Sequence, residues 1–361
     1  MRQGGGDAAS GSGLGALLAR DGGDGVEYVE LGRSGPVVSR FCLGLLPLSP
    51  LQSDLPRPEA ERLLAAAVEA GVTFFDTAEL YRTYSLVRDL LRPPLVVASK
   101  AYAFDYAGMK ESVERALVET RRDFLDIFLL HEQESRLTLA GHAGALRCLA
   151  DAKRAGVVGA VGVSTHAPAV VDAAAEMDDI DVIHPLLNCR GLGLLEGSLE
   201  EMLQAVAKAD AAGKGIYAMK VLGGGHLAAS APGPEKVTAE EAFAFIRGVR
   251  GVHAVAVGAK TVEELRYDIA LLLGRTPRDE LAELQARVRG RPRRLFIEEH
   301  CDGCGRCVGA CRYGALRLED VAVSNGASGV GVVRRAVVDT SRCVLCGYCA
   351  ATCRDFFIKV V

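Results

Sequence analysis

From residue 26 onward the chain alternates short apolar runs with longer stretches in which apolar residues recur at helical spacing. "RPEAERLLAAAVEAG" shows one such stretch. Ala60, Leu63, Leu64, Ala67 and Val68 fall at i, i+3, i+4, i+7 and i+8, which predicts an amphipathic helix, and Gly71 stands where it would stop. Ahead of it, "VEYVELGRSGPVVSRFCL" predicts a hairpin turning at "GRSG". Strand-like runs follow at Phe41–Leu45, Thr73–Thr77, Leu95–Lys100, Leu125–His131, Ala160–Ser164, Val182–Asn188, Gly215–Lys220 and Ala254–Gly258. Most precede a helix-compatible stretch such as Lys110–Arg122, Ser198–Ala212 or Val262–Leu273. Eight strand–helix units predict an α/β protein with a closed (β/α)8 barrel. An open doubly wound sheet is the second reading, weakened because no GxGxxG follows the first strand.

The pattern also divides the chain. Residues 1–25 read as a Gly/Ala/Ser tail without the basic and apolar regions of a signal peptide, 26–290 as the barrel, and 291–361 as a small C-terminal domain entered through the basic link "RVRGRPRR". With 49% hydrophobic and 24% charged residues, and no apolar run near the ~20 residues that span a bilayer, the composition predicts a soluble protein away from membranes. A net charge of −4 gives no reason to expect nucleic acid, although residues 291–361 carry eleven Lys/Arg against seven Asp/Glu. Eleven cysteines without a secretion signal point to the cytoplasm and to metal ligation rather than disulfides.

Eight of those cysteines form two copies of C-x2-C-x2-C-x3-C, "CDGCGRCVGAC" and "CVLCGYCAATC". The first three of such a run can cap three corners of a [4Fe–4S] cube while the fourth reaches the other cube. Cluster one then takes Cys301, Cys304, Cys307 and Cys353; cluster two takes Cys343, Cys346, Cys349 and Cys311. Two four-cysteine zinc sites are the alternative, which three cysteines at consecutive x2 intervals suit poorly. The region resembles bacterial two-cluster ferredoxins, whose proline after the fourth cysteine is here Arg312 and Arg354, and the resemblance implies an α+β ferredoxin-like fold. Cys42, Cys148 and Cys189 read as packing residues.

At the second to fourth strands the chain reads "GVTFFDTAELY", "VVASK" and "DIFLLH". Asp76, Tyr81, Lys100 and His131 resemble, in order, the tetrad of the aldo/keto reductase family, and "ELGRSGPVVSRFCLG" resembles its opening hairpin. The chemistry is coherent by itself. Hydride addition to a carbonyl leaves an alkoxide that needs a proton, and a tyrosine of pKa ~10 donates well only if its phenolate is stabilised. Lys100 would do that, Asp76 would hold the lysine, and His131 would orient the carbonyl oxygen.

The same resemblance implies nucleotide contacts. Ser164, Thr165 (in place of the family's asparagine) and Asn188 would hold the nicotinamide carboxamide, and Lys220, Gly223 and Gly224 the pyrophosphate. Gly258, Lys260 and Thr261 would cradle the adenosine phosphate at a helix start, with Glu264 on the adenine and Asp268 where the family has an asparagine. Lys260 favours NADPH, with NADH the other option. The expected function is an NAD(P)H-dependent oxidoreductase interconverting a carbonyl and an alcohol, fused to an electron-transferring domain with a redox partner protein. The alternative is a ferredoxin-type carrier whose barrel is mainly a docking module. No flavin signature is present in either case.

Overall fold

The computed structural model describes residues 26–50, 52–53, 55–225, 227, 237–289, 294–311, 313–324, 330–343, 348–355 and 357–360. Cys346 and Arg312 therefore lie outside the described residues.

Eight parallel strands close into a barrel. They are β3 (Phe41–Gly44), β4 (Phe74–Asp76), β5 (Val96–Ala101), β6 (Leu125–Gln133), β7 (Val158–Thr165), β8 (Val182–Pro185), β9 (Gly215–Met219) and β10 (Ala254–Val257), with β10 pairing back to β3. The predicted strands are all present, with ends displaced by up to three residues; Asn188 falls beyond β8 rather than at its end. The opening hairpin, β1 (Tyr28–Glu30) and β2 (Val37–Ser39), packs Leu31 and Val38 into the inner apolar cluster. Its turn requires glycine: Gly32 has φ +72°, and a Cβ there would collide with the backbone nitrogen of Gly215 at the foot of β9.

The two-residue strand period sorts side chains into two layers. Phe74, Val96, Ala98, Ile127, Leu129, Ala160, Val182 and Tyr217 fill the barrel, whereas Phe75, Val97, Phe128, Val161 and Ile183 meet the surrounding helices. The helix predicted from "RPEAERLLAAAVEAG" spans Arg57–Glu69, buries Ala60, Leu63, Leu64 and Ala67, and ends ahead of Gly71 at φ +89°. Capping boxes start two others: Ser198 with Glu201 ahead of Leu199–Ala211, and Thr238 with Glu241 ahead of Ala239–Gly248. Among the described residues no helix is long and apolar enough to cross a membrane.

Beyond the helix Arg278–Arg289, β11 (Leu295–Ile297) pairs antiparallel with β14 (Ile358–Val360), and β12 (Leu316–Ser324) with β13 (Val330–Val338). Cys307, Leu316, Ala336, Cys349, Ala350 and Ile358 form their buried core, separate from the barrel cores. β14 lies against the barrel's Gly223–Gly225 turn, so this second unit sits at the mouth to which the strand C-termini lead.

Candidate active site and cysteine centre

The inward register that places Phe74, Val96 and Ala98 in the barrel continues one step higher to Asp76 and Lys100, and in β6 from Ile127 and Leu129 to His131. Polar residues thus replace apolar ones in the layer nearest the mouth. Lys100 is 1% exposed. Its ammonium donates to Asp76 Oδ1 at 2.8 Å, Asp76 Oδ2 at 2.7 Å and the Thr77 carbonyl at 2.8 Å. Such a buried charge is tolerable because every proton has a partner and the carboxylate neutralises it.

Tyr81, on a 3₁₀ turn (Glu79–Tyr81) after β4, brings its ring to 5.0 Å from Lys100 Nζ. His131 meets that ring edge-on at 5.9 Å between centroids. Burial raises the Tyr81 phenol well above its ordinary value, and Asp76, Glu132, Tyr102 and Glu298 push the same way. Burial, with the Lys100 charge second, holds His131 well below the usual imidazole range, so the ring is neutral. Its buried Nδ1 has no hydrogen-bond partner among the described residues. A phenol kept protonated, a fixed cation beside it and a neutral imidazole converge on one side of the mouth; that set can polarise a carbonyl oxygen and protonate it.

Several further residues complete the layer without having been singled out in the sequence. Tyr217 Oη donates to Asp76 Oδ1 at 3.1 Å, and His184 stacks on Tyr217 with centroids 3.8 Å apart, its Nδ1 bonded to the Tyr217 carbonyl at 2.6 Å. Burial lowers His184 to about 4. Tyr102 stacks on His131 at 4.2 Å and gives its hydroxyl to Glu132. Glu132 occupies the left-handed region at φ +50°, where the β6–β7 register shifts, and its amide donates to Ser164 Oγ at 2.7 Å. Strain of this kind persists where surrounding contacts over-determine it. The strand period of β8 and β9 pointed His184 and Tyr217 inward, but nothing in the sequence marks Glu132.

The residues expected to hold a nucleotide are less uniformly available. Thr165 donates to the Gln133 carbonyl at 2.6 Å and accepts from the Ala167 amide at 2.9 Å. Asn188 staples its own loop, accepting from the Arg190 and Leu192 amides and donating to the carbonyls of Leu192 and Lys220. Gly258 leaves room that Pro47 occupies. At the helix Val262–Leu273, Glu264 takes the Lys260 amide at 2.8 Å, and Thr261 Oγ1 takes the Glu264 amide at 3.2 Å. Asp268 is buried, its carboxyl pushed well up by burial and by Glu264. Near Ser164 the buried side-chain oxygen of Gln133 has no hydrogen-bond partner among the described residues, and Lys220, Gly223 and Gly224 turn the chain through φ +59°, +56° and +67°. Thr165 and Asn188 thus brace the loops beside the mouth in addition to any ligand contact they make.

In the second unit, burial raises the Cys307 thiol to about 11, with Cys301, Cys304 and Cys353 adding to the shift in that order. Cys301, Cys304 and Cys353, expected to share cluster one with it, thus lie within electrostatic reach of Cys307. Amides already aim at the sulfurs: Ala336 N donates to Cys301 Sγ at 3.5 Å and Ala315 N to Cys311 Sγ at 3.3 Å. Those of Ile358, Phe357 and Asp355 hold the Cys353 thiol down against the burial that raises it. N–H groups so placed would solvate the thiolates that iron–sulfur ligation requires. Among the described residues no three His, Cys, Asp or Glu side chains converge on one ion-sized point, a convergence a cube does not need. Cys42 and Cys148 are buried in the barrel's packing and Cys189 is partly buried against it.

The fold and the layer at its mouth define an oxidoreductase built on an eight-stranded barrel. Residues 40–275 match the Aldo/keto reductase family and residues 300–355 the 4Fe-4S dicluster domain. The chain belongs to the aldo/keto reductase family and carries a 4Fe–4S domain behind its barrel. It is similar to the uncharacterized oxidoreductase YqkF of Bacillus subtilis, 23% identical over 71% of this chain and 95% of that one. It is also similar to the 6-dehydroglucose reductase of Novosphingobium aromaticivorans, 24% identical over 62% and 78% respectively. A structure assigned to the aldo-keto reductases from Pseudomonas aeruginosa superimposes with TM-score 0.57 at 25% identity, covering 68% of this chain and 95% of that one. The holo form of a Bacillus halodurans aldo-keto reductase shares the fold, with TM-score 0.57 at 19% identity over 72% of this chain and 96% of that one.

Proposed function

We propose that the barrel interconverts a carbonyl and an alcohol with NADPH or NADH, and that the iron–sulfur domain moves electrons between two [4Fe–4S] clusters and a partner protein. The observation that carries the first half is the Lys100 ammonium, fixed by both oxygens of Asp76 and standing 5.0 Å from the Tyr81 ring. A nicotinamide bound at Ser164 and the Lys220–Gly224 turn would supply a hydride to the carbonyl carbon. The protein's own part is proton delivery. Tyr81 Oη gives its proton to the developing alkoxide, Lys100 compensates the phenolate left behind, and Asp76 keeps that cation in place. His131, neutral, orients the carbonyl oxygen through a ring nitrogen. Water is kept from Lys100 and Asp76 by the packed layer around them.

On this reading residues 26–290 are the catalytic unit and 291–361 the electron-carrying unit, working in the reducing cytoplasm. The relative named as a 6-dehydroglucose reductase supports carbonyl reduction as the reaction class. A docking-module reading draws on different facts: Thr165 and Asn188 spend their hydrogen bonds inside the protein, and β14 covers the Gly223–Gly225 turn.

Anaerobic NAD(P)H oxidation against a panel of carbonyls separates the two. We expect turnover by the wild-type chain and a loss of about 10²–10⁴-fold in Tyr81→Phe, with nucleotide affinity retained. Absence of turnover with every carbonyl would favour the docking module, and equal turnover in Tyr81→Phe would remove that tyrosine from the chemistry.

A further inference from the structure

The two halves of the chain meet at the barrel mouth through segments that flank one set of cysteines. Glu298 precedes Cys301, and β14 follows Cys353. From the loop after β3, Gln52 Nε2 donates to Glu298 Oε1 at 3.3 Å, and the same oxygen accepts from Lys359 Nζ at 2.5 Å. Glu298 and Lys359 are each 7% exposed. A buried ion pair contributes little net stability, because desolvation offsets the attraction. What this pair does contribute is charge at a defined place. Lys220, on the barrel side, is half-buried and lowered to about 8, first by desolvation, with Glu132, Lys359, Glu298 and Asp355 as its charged surroundings, and Glu298 also acts on Tyr81.

We propose that the iron–sulfur domain is a wall of the barrel's site, with Glu298 and Lys359 as its facing residues, and that the centre held by Cys301, Cys304, Cys307 and Cys353 is the inner, barrel-coupled cluster. The second centre of the two-cube reading is then the outer one, through which a partner exchanges electrons. This inference rests on the reading of the eight cysteines as ligands of two cubes. Chain connectivity supports it: three residues from Glu298 to Cys301 span at most ~10 Å, and β14, which meets the Gly223–Gly225 turn, begins five residues after Cys353. Charges across such a buried interface are weakly screened. A positive Lys220 stabilises the more negative, reduced inner cluster, and a negative Glu298 opposes it.

The test is an anaerobic potentiometric titration of the full-length, cluster-reconstituted protein, read by electron paramagnetic resonance, with Cys304→Ser identifying the inner signal. Lys220→Met should lower the inner midpoint potential and Glu298→Gln should raise it, while the outer potential stays put and Lys220→Arg leaves both unchanged. Potentials that move together, only at the outer cluster, or not at all would overturn the proposal. The titration contains no nucleotide, so its result stands apart from the carbonyl assay. Iron well short of about eight atoms per chain would overturn the two-cube reading itself, and this proposal with it.

Discussion

Tyr217 and Lys100 approach Asp76 from different strands and share one of its oxygens: Oδ1 accepts from Tyr217 Oη at 3.1 Å and from Lys100 Nζ at 2.8 Å. The tyrosine is fully buried, held between His184 at 3.8 Å and Phe74 at 5.1 Å. Its hydroxyl is spent on the carboxylate, so it acts as a positioning residue that fixes the rotamer of Asp76. Tyr217→Phe keeps the ring packing and removes one donor. We expect roughly 1 kcal/mol of lost stability and about a tenfold fall in kcat with KM little changed. The pH dependence of alcohol oxidation should also shift, since a looser Asp76 changes how Lys100 supports the Tyr81 phenolate. A purely structural role would lower stability and leave that profile in place.

Carbonyl reduction should be insensitive to pH across the ordinary range. Burial and the acidic groups Asp76, Glu132 and Glu298 raise the Tyr81 phenol, so the proton-donating form is full at neutrality and stays full as pH rises. His131 is lowered, so it is already neutral and gains a proton only well below its usual range. The reduction rate at saturating nucleotide should therefore be flat from about pH 6 to about pH 9. Alcohol oxidation needs the phenolate and should climb over that interval. A reduction rate that falls between pH 7 and pH 9 would place the proton donor elsewhere.

The parts of the site that share a strand with an apolar run were legible in the sequence, because the two-residue period carries the reader from Phe74 to Asp76 and from Ala98 to Lys100. The network that braces them was not. Tyr217 lies 141 positions from the Asp76 oxygen it serves, and closure of the barrel, rather than any local pattern, brings them together. Glu132 escaped for a different reason: a left-handed residue at a register shift breaks the alternation that reading depends on. The nucleotide contacts show the converse. Thr165 and Asn188 were identified by their place in a motif, but their hydrogen bonds go to neighbouring loops, which no local pattern reveals.

The foot of the barrel offers a sharp stability test. Gly32 combines φ +72° with contact against the Gly215 backbone, so Gly32→Ala meets both a conformational penalty and a collision. Destabilisation of roughly 2–4 kcal/mol is expected, read as a lower urea midpoint. Gly248, the exposed last residue of the helix Ala239–Gly248, has no positive φ, and a Cβ added there would meet no described atom within 4 Å. Gly248→Ala should leave the midpoint unchanged or raise it slightly. Equal effects at the two sites would show that the hairpin turn does not close the barrel.

A nicotinamide gives up two electrons as a hydride, whereas each cluster takes one, and an intermediary such as a flavin normally divides the pair. Closeness of the inner cysteine set to the barrel mouth does not remove that mismatch: Glu298 and Lys359 supply charge and hydrogen bonds but no redox group. In flavin-free, cluster-reconstituted protein, excess NADPH under anaerobic conditions should therefore leave the visible cluster absorption unchanged, while dithionite bleaches it. Nucleotide can still bind, and its added negative charge would lower the inner potential without transferring an electron. Bleaching by NADPH alone, with flavin shown to be absent, would mean that the chain splits a hydride by itself, and the separation of the two systems would fail. If only dithionite bleaches, removal of residues 291–361 isolates the wall from the carrier: lost carbonyl turnover with retained barrel folding is the expected result, because Glu298 bonds Gln52 and β14 lies against the Gly223–Gly225 turn at the mouth.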